Sequence, residues 1–192
     1  MIFVIDTSSA VSSLAILDDT GAVRQDLHLP ARSPELMDRM RAMASGATLT
    51  KVAVATGPGS FTGLRMGVSF GLGLAVGLRI PIVPLPTLEL QAVRSDTPAT
   101  AVSEAGRGRV YYLVPGGTPA VGEPDEIPRA HSLVGSVSPG TESSLRRAGH
   151  RFIPESELRH FAEAAAMLLK TAREVPYGSL KLEYMQSFSA SK

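Results

Sequence analysis

The chain of 192 residues is long enough for one domain or two small lobes, and its 44% hydrophobic and 19% charged residues are typical of a folded globular protein. Nineteen Lys and Arg against 18 Asp and Glu leave a formal net charge of +1, which excludes a broad positive field that could hold a polyanion by itself. The absence of cysteine excludes disulfides, thiolate catalysis and cysteine metal sites.

The first half of the chain alternates strands and helices. IFVI, LAIL and residues 22–29 predict a three-stranded antiparallel meander. Helical spacing after an N-cap serine predicts a first helix over residues 34–45. The buried strand KVAVA then leads to a second helix over residues 61–78, and IPIVPL is a further strand before a helix over residues 87–93. This pattern is typical of an α/β lobe.

The polar stretch RSDTPAT marks a boundary near residue 97. Beyond it, ATAV and VYYLV predict paired strands, and an amphipathic pattern predicts a helix over residues 155–172. The sequence therefore predicts an N-terminal lobe over residues 1–97 and a shorter, less regular lobe over residues 98–192. The start MIFVIDTSS lacks the basic flank and long apolar core of a signal peptide, so we expect a cytoplasmic protein with no membrane span.

The stretch TGPGSFTGLRMG joins a buried strand to the second helix. It matches neither the P-loop GxxxxGK[ST] nor the dinucleotide motif GxGxxG. A helix N-terminus can bind an anion, and a carboxylate with hydroxyls after the first strand can hold a magnesium-bound water and phosphate. Both segments also make ordinary caps and turns. The candidate nucleotide-binding residues are Asp6, Thr7, Ser8, Gly59 and Ser60.

The second helix carries a row of glycines at intervals of four residues. Glycine costs about 1 kcal/mol against alanine inside a helix, so the row predicts close approach of another backbone. The alternative is that the row packs only on the helix's own sheet and on the first helix. A methionine stripe on the first helix suits adaptable contacts or a core. The candidate partner-binding residues are Leu36, Met37, Met40, Met43, Phe61, Gly63, Leu64, Gly67, Val68 and Gly71.

Catalytic and metal-binding patterns are missing from the sequence. The four histidines lie far apart with no HExxH motif, no GxSxG occurs, and no histidine stands in a recognisable triad context, so neither a metal site nor a hydrolase is predicted. The basic stretch LRRAGHR, residues 145–151, predicts a solvated face or a small nucleic-acid contact.

FVIDTSS, GPGSFTGLRMG, GLAVGLRIPIVPLPTLE and GRVYYLV resemble the TsaB (YeaZ) family of tRNA threonylcarbamoyladenosine biosynthesis, most strongly over residues 1–94. The resemblance implies a two-lobed actin- and Hsp70-like (ASKHA) α/β fold of ribonuclease H-like topology with a reduced C-terminal lobe. It implies no intrinsic catalysis or cofactor. It also implies that the two predicted helices pair with TsaD, which transfers the threonylcarbamoyl group to N6 of adenosine 37 in ANN-decoding tRNAs.

The resemblance further implies that TsaE joins the complex and that tRNA is met only through it. We expect ATP or ADP with Mg at the partner interface, and we expect the exposed helices to drive homodimer formation when the chain is alone. The alternative is an ATP-dependent kinase or ATPase of the actin-like superfamily, with Asp6 on magnesium and Thr7 and Ser8 on phosphate. Residues 98–192 offer no second phosphate loop of the Asp-Gly-Gly kind, which disfavours this alternative. The peptidase activity attributed to relatives of TsaD is disfavoured because no triad or metal ligands are recognisable.

Overall fold

Strand-forming residues at the start of the chain build an antiparallel meander. The computed structural model describes residues 1–183, and its first strands are β1 (Ile2–Asp6), β2 (Val11–Leu17) and β3 (Val23–Pro30). β1 and β2 are rich in the branched and aliphatic side chains that fit a pleated sheet. β1 pairs antiparallel with β2, and β2 pairs antiparallel with β3.

Two parallel strands complete this first sheet. They are β4 (Lys51–Gly57) and β5 (Ile82–Pro86), and the sheet order is β3-β2-β1-β4-β5. Parallel neighbours need crossover connections, which are supplied by α1 (Leu36–Ser45) and α2 (Phe61–Leu78). The short helix α3 (Thr87–Ala92) follows β5.

The alternating side chains of β1 divide the first sheet into two packed faces. Phe3 and Ile5 lie in one core cluster with buried residues of α1 and α2. Val4 lies on the opposite face, in a second cluster with α5 (Phe161–Leu169). Because α5 comes from the second half of the chain, its packing on the first sheet crosses the predicted boundary near residue 97.

A smaller second sheet lies between α3 and α5 in the chain. Its strands are β6 (Thr100–Gly106), β7 (Arg109–Leu113), β8 (Ala120–Gly122) and β9 (Leu133–Val134), in the order β8-β7-β6-β9. Helix α4 (Pro139–Arg147) follows, and 3₁₀ turns occur at Pro124–Glu126, Glu155–Glu157 and Tyr177–Ser179. Glu104 of β6 accepts hydrogen bonds from Ser138 N and from Thr141 Oγ1, which fixes the start of α4 against the sheet.

The helices of the second half differ from the predicted ones in two respects. The helix predicted over residues 155–172 forms only as Phe161–Leu169, preceded by the 3₁₀ turn Glu155–Glu157, because Leu158 separates the two in an extended conformation. Helix α4 is absent from the prediction, since its sequence PGTESSLRR has few apolar residues to signal a buried face.

Candidate functional site

The end of β1 and the start of α2 meet in a network of short hydrogen bonds. One oxygen of the buried Asp6 carboxylate accepts from the backbone N of Ser8 at 2.8 Å and from Ser8 Oγ at 2.6 Å. Thr7 Oγ1 donates to the carbonyl of Gly63 at 2.7 Å. Ser60 N donates to the carbonyl of Ser8 at 2.7 Å, and Ser60 Oγ caps α2 by accepting from Gly63 N at 3.3 Å.

The structure therefore brings all five candidate nucleotide-binding residues together. The fifth, Gly59, packs so closely on the Ser8 carbonyl that a Cβ at Gly59 would lie 2.5 Å from its oxygen. Their hydrogen bonds, however, run to one another and to Gly63, and hold the β1–β2 turn against the start of α2. Nucleotide binding stays a prediction, and a hydrated magnesium ion at Oδ1 of Asp6 would compete with the two hydrogen bonds from Ser8.

Burial controls the electrostatics of this junction. Desolvation raises the pKa of Asp6 above its usual value, and the hydrogen bonds from Ser8 oppose that rise. A carboxylate in this environment is costly to ionise unless a cation joins it. Among residues 1–183, no group of three or more His, Cys, Asp and Glu side chains is placed to hold a metal ion.

The glycine row of α2 faces the protein's own sheet. A Cβ at Gly63 would lie 1.9 Å from the carbonyl oxygen of Thr7, one at Gly67 would lie 2.3 Å from Thr7 Oγ1, and one at Gly71 would lie 2.4 Å from Val54 Cγ1. Real Cβ atoms do not make contacts this short. The expectation that these three glycines receive a foreign backbone is therefore wrong, because β1 and β4 already occupy the space.

Most of the other candidate partner-binding residues are also internal. Both α1 and α2 bury one face on the same side of the first sheet. The apolar stripes that were interpreted as a partner interface are these buried faces. The residues concerned, each less than 9% exposed, are Leu36, Met40, Met43, Leu64 and Val68. Met37 is half-buried beside the same core, and Phe61 is 39% exposed with the guanidinium of Arg65 stacked 3.9 Å from its ring centre.

The surface of α2 that points away from the sheet is apolar and was missed. We define the outer face of α2 as Met66, Ser69, Gly73, Val76 and Gly77. Three of its members, Ser69, Gly73 and Gly77, form a second small-residue row with the same four-residue spacing, and an added Cβ at either glycine would meet no atom of residues 1–183 within 4 Å. Val76 is 48% exposed, and no residue from 66 to 78 carries a charge.

The outward surface of α1 has the opposite character. Arg39 pairs with Glu35, and Arg41 pairs with Asp38, so that its exposed side chains are charged and bonded within the same helix. Among residues 1–183, the apolar surface left uncovered on this side of the lobe is therefore on α2 rather than on α1.

The composition of α2 also meets a simple criterion for a membrane span. Within residues 1–183, it is the helix with enough length and hydropathy, a mean of 1.4 over 18 residues, to cross a bilayer. Core helices of folded proteins meet the same criterion. Because the inner row of α2 packs on β1 and β4, we assign it to the folded lobe.

The basic stretch at residues 145–151 is largely committed to contacts within the second half. Leu145 is buried in a core cluster, and His150 Nε2 lies 2.9 Å from the carbonyl of Pro124. Arg146 pairs with Glu142 and lies over the ring of Phe152. This stretch therefore does not form a continuous basic face.

Taken as a whole, the fold is a two-lobed α/β architecture of the ribonuclease H-like, actin-like class, with helices on both faces of the first sheet and a reduced second sheet. YeaZ from Pseudomonas aeruginosa has the same fold, with a TM-score of 0.70 and 20% identity over 96% of this chain and 99% of that one. A second structure, described as an uncharacterized protein with similarity to peptidase YEAZ from Pseudomonas aeruginosa, gives a TM-score of 0.68 and 21% identity over 96% and 99% of the two chains. The predicted fold class is confirmed.

Comparisons of sequence place the chain in a family. The family model described as TsaD, tRNA N6-adenosine threonylcarbamoyltransferase, matches residues 35–142, which is more than half of the chain. The tRNA threonylcarbamoyladenosine biosynthesis protein TsaB of Escherichia coli is 33% identical over 125 residues, covering 58% of this chain and 53% of that protein. TsaB of Bacillus subtilis is 33% identical over 120 residues, with shares of 57% and 52%. The chain belongs to this family, together with the TsaB (YeaZ) proteins, and spans about half the length of the curated relatives it matches.

Proposed function

We propose that the protein is a non-catalytic subunit in the biosynthesis of threonylcarbamoyladenosine in tRNA, and that it acts by binding a TsaD partner. Support comes from the family relationship, since the TsaB relatives carry that biosynthetic role in their names. The observation that carries the proposal is the outer face of α2, which is uncharged and, among residues 1–183, exposed at Ser69, Gly73, Val76 and Gly77, with Met66 half-buried at its edge.

The physical basis of binding is close helix packing. Small residues at Ser69, Gly73 and Gly77 let another helix approach closely, and the neighbouring side chains of Met66 and Val76 fill the space on either side. Val76 and the 50% exposed Leu78 still have apolar area to bury, worth roughly 1 kcal/mol each at 25 cal/mol per Å². In the absence of the partner, the same face is expected to drive formation of a homodimer.

A non-catalytic subunit can activate its partner by binding one conformation of the partner more tightly than another. If the protein binds the active arrangement of TsaD more tightly than the inactive one, it shifts the partner's population toward activity. In this proposal TsaE and tRNA join the resulting complex. ATP or ADP with Mg binds at the partner interface rather than at Asp6, whose carboxylate is held by Ser8.

The test is binding to TsaD from the same organism. We expect Gly73→Leu and Gly77→Leu each to weaken co-elution in size-exclusion chromatography by about 100-fold in affinity, because a bulky side chain at the centre of a helix contact separates the two backbones. Ser143→Leu, at an exposed position of α4, is the matched control and should co-elute like the wild type.

Folding of each variant is checked by circular dichroism and urea unfolding, since Gly73 and Gly77 have open space around them. Unchanged co-elution of both folded variants would overturn the proposal. The alternative of a kinase predicts magnesium-dependent ATP turnover by the isolated protein that Asp6→Asn abolishes. The two hydrogen bonds that Ser8 donates to Oδ1 of Asp6 would compete with magnesium at that oxygen, which disfavours this activity.

A further inference from the structure

A serine, a histidine and an aspartate lie in line on the first sheet. Ser13 of β2 is the cross-strand partner of His28 on β3, and Ser13 Oγ lies 3.0 Å from His28 Nδ1. The other ring nitrogen, Nε2, lies 3.3 Å from Oδ1 of Asp26. Asp26 shares a face with His28 because they are two residues apart on one strand. The expectation that no histidine has a triad context is therefore wrong.

Ser13 and His28 border a cavity of about 260 Å³, whereas Asp26 is not part of its lining. Its lining includes Ser9, Ser13, His28, Gln91, Arg94 and Ser136. It lies on the face of the first sheet opposite to α2, since Ala15 and Leu17, which point to the same face of β2 as Ser13, pack with α5. The side chains of His28 and Asp26 remain 44% and 19% exposed, so a ligand and water can reach them.

The histidine ring is held in position from two sides. Its edge-to-face contact with Phe161, with ring centres 6.2 Å apart, restricts rotation, and Asp26 Oδ1 is placed to accept a hydrogen bond from Nε2 in the tautomer that carries a proton there. With Nε2 protonated, the lone pair of Nδ1 points at the Ser13 hydroxyl. This is the arrangement of a nucleophile, a general base and a positioning carboxylate, which is recognised by geometry and roles and occurs on unrelated folds.

We propose that Ser13 and His28 hydrolyse small carboxylic esters in this cavity, with Asp26 as the positioning residue. Ser13 Oγ attacks the ester carbonyl while its proton moves to His28 Nδ1. The ester C–O bond then breaks, and the departing alkoxide takes the proton from His28. Water attacks the acyl-Ser13 ester, its proton passes through His28 back to Ser13 Oγ, and the carboxylic acid leaves.

Stabilisation of the developing oxyanion is assigned to Arg94. Its guanidinium donates to Gln91 Oε1, to the carboxylate of Glu155 and to the carbonyl of Arg159, which accounts for three of its five N–H groups among residues 1–183. The remaining N–H groups of this cavity-lining side chain are available to a substrate oxygen. The cavity is smaller than the 300–1,000 Å³ typical of drug-sized sites, which restricts the substrate to short acyl chains.

The first test is labelling with a fluorophosphonate, in which Ser13 Oγ would displace fluoride from phosphorus. Mass spectrometry of the full chain after digestion should locate the adduct on Ser13. Ser13→Ala should abolish the adduct, and His28→Gln should slow its formation by about 100-fold. Ser143→Ala and His131→Gln are matched controls away from the cavity and should label like the wild type. No adduct on Ser13, or an equal rate in folded His28→Gln, would overturn the proposal.

The second test separates positioning from structure. With 4-nitrophenyl acetate, Asp26→Asn should lower kcat by about 10-fold or more with little change in KM, because the neutral amide no longer stabilises the imidazolium that forms during the reaction while the cavity keeps its shape. Asp26→Glu should recover part of kcat. Equal kcat in the wild type and Asp26→Asn would exclude the assigned role. This activity is independent of TsaD binding, so Gly73→Leu should leave both readouts unchanged.

Discussion

The two faces of α2 carry small-residue rows of equal spacing in opposite surroundings. Gly63, Gly67 and Gly71 are pressed against β1 and β4, where even a methyl group has no room. Ser69, Gly73 and Gly77 face outward, and the two glycines there have open space around them. Spacing therefore identifies where backbones approach closely, while only the surroundings tell whether the approaching backbone belongs to the same chain.

The largest expected effect on stability comes from adding a methyl group to the inner row of α2. Gly63→Ala should lower the free energy of unfolding by about 3 kcal/mol, because the new Cβ would lie 1.9 Å from the Thr7 carbonyl and α2 must move away from β1. Urea unfolding measures the loss. A variant as stable as the wild type would show that the inner row is not in close contact, and the distinction between the faces would fail.

The same substitution on the outer row should have the opposite effect on stability. Gly73→Ala should raise the free energy of unfolding by about 1 kcal/mol, because alanine has the higher helix propensity and a Cβ meets nothing there. Urea unfolding at a single protein concentration, low enough to keep the chain monomeric, gives the value. Destabilisation by Gly73→Ala would mean that the outer face is covered in the isolated protein.

A smaller effect on stability is expected at Asp6, which lies where the end of β1 meets the start of α2. Burial raises the pKa of Asp6 above its usual 3.8, so the folded state binds this proton more tightly than the unfolded state. The stability of the wild type should therefore fall as pH rises from about 3.8 through the raised pKa. Asp6→Asn keeps an acceptor for Ser8 and removes the charge. The variant should therefore become more stable than the wild type as the pH rises over that range.

Urea unfolding of Asp6→Asn and wild type at several pH values between 3.5 and 7 checks this sign. The advantage should be lost at the acidic end, where Asp6 is protonated in both states. A less stable Asp6→Asn at neutral pH would instead indicate a stabilised carboxylate, as expected if a bound cation sits there.

Much of the first half was predictable because its signals are local. The bounds predicted for α2, residues 61–78, are those observed, and Ser60 is its N-cap as expected. The first helix begins two residues later than predicted, at Leu36. The hydrophobic periodicity of β1, β2 and β4 reflects burial on both faces of a sheet, which tertiary packing does not override.

The orientation of α2 could not be predicted for a physical reason. Its apolar residues surround the helix, and both faces carry small residues every four positions, so periodicity defines no unique buried side. Pairing of Ser13 with His28 was also beyond the sequence, because it depends on the register between β2 and β3, which shifts at Ile16 and Leu17.

The return of α5 to the first sheet has a consequence for biosynthesis. The surface that receives Phe161 and Ala165 is complete once β5 has been made, yet its cover lies some eighty residues further along the chain. During translation this face of the first sheet therefore stays exposed until the ribosome has released α5. Chains interrupted before that point leave a bare apolar surface, which makes them natural clients of chaperones and proteases.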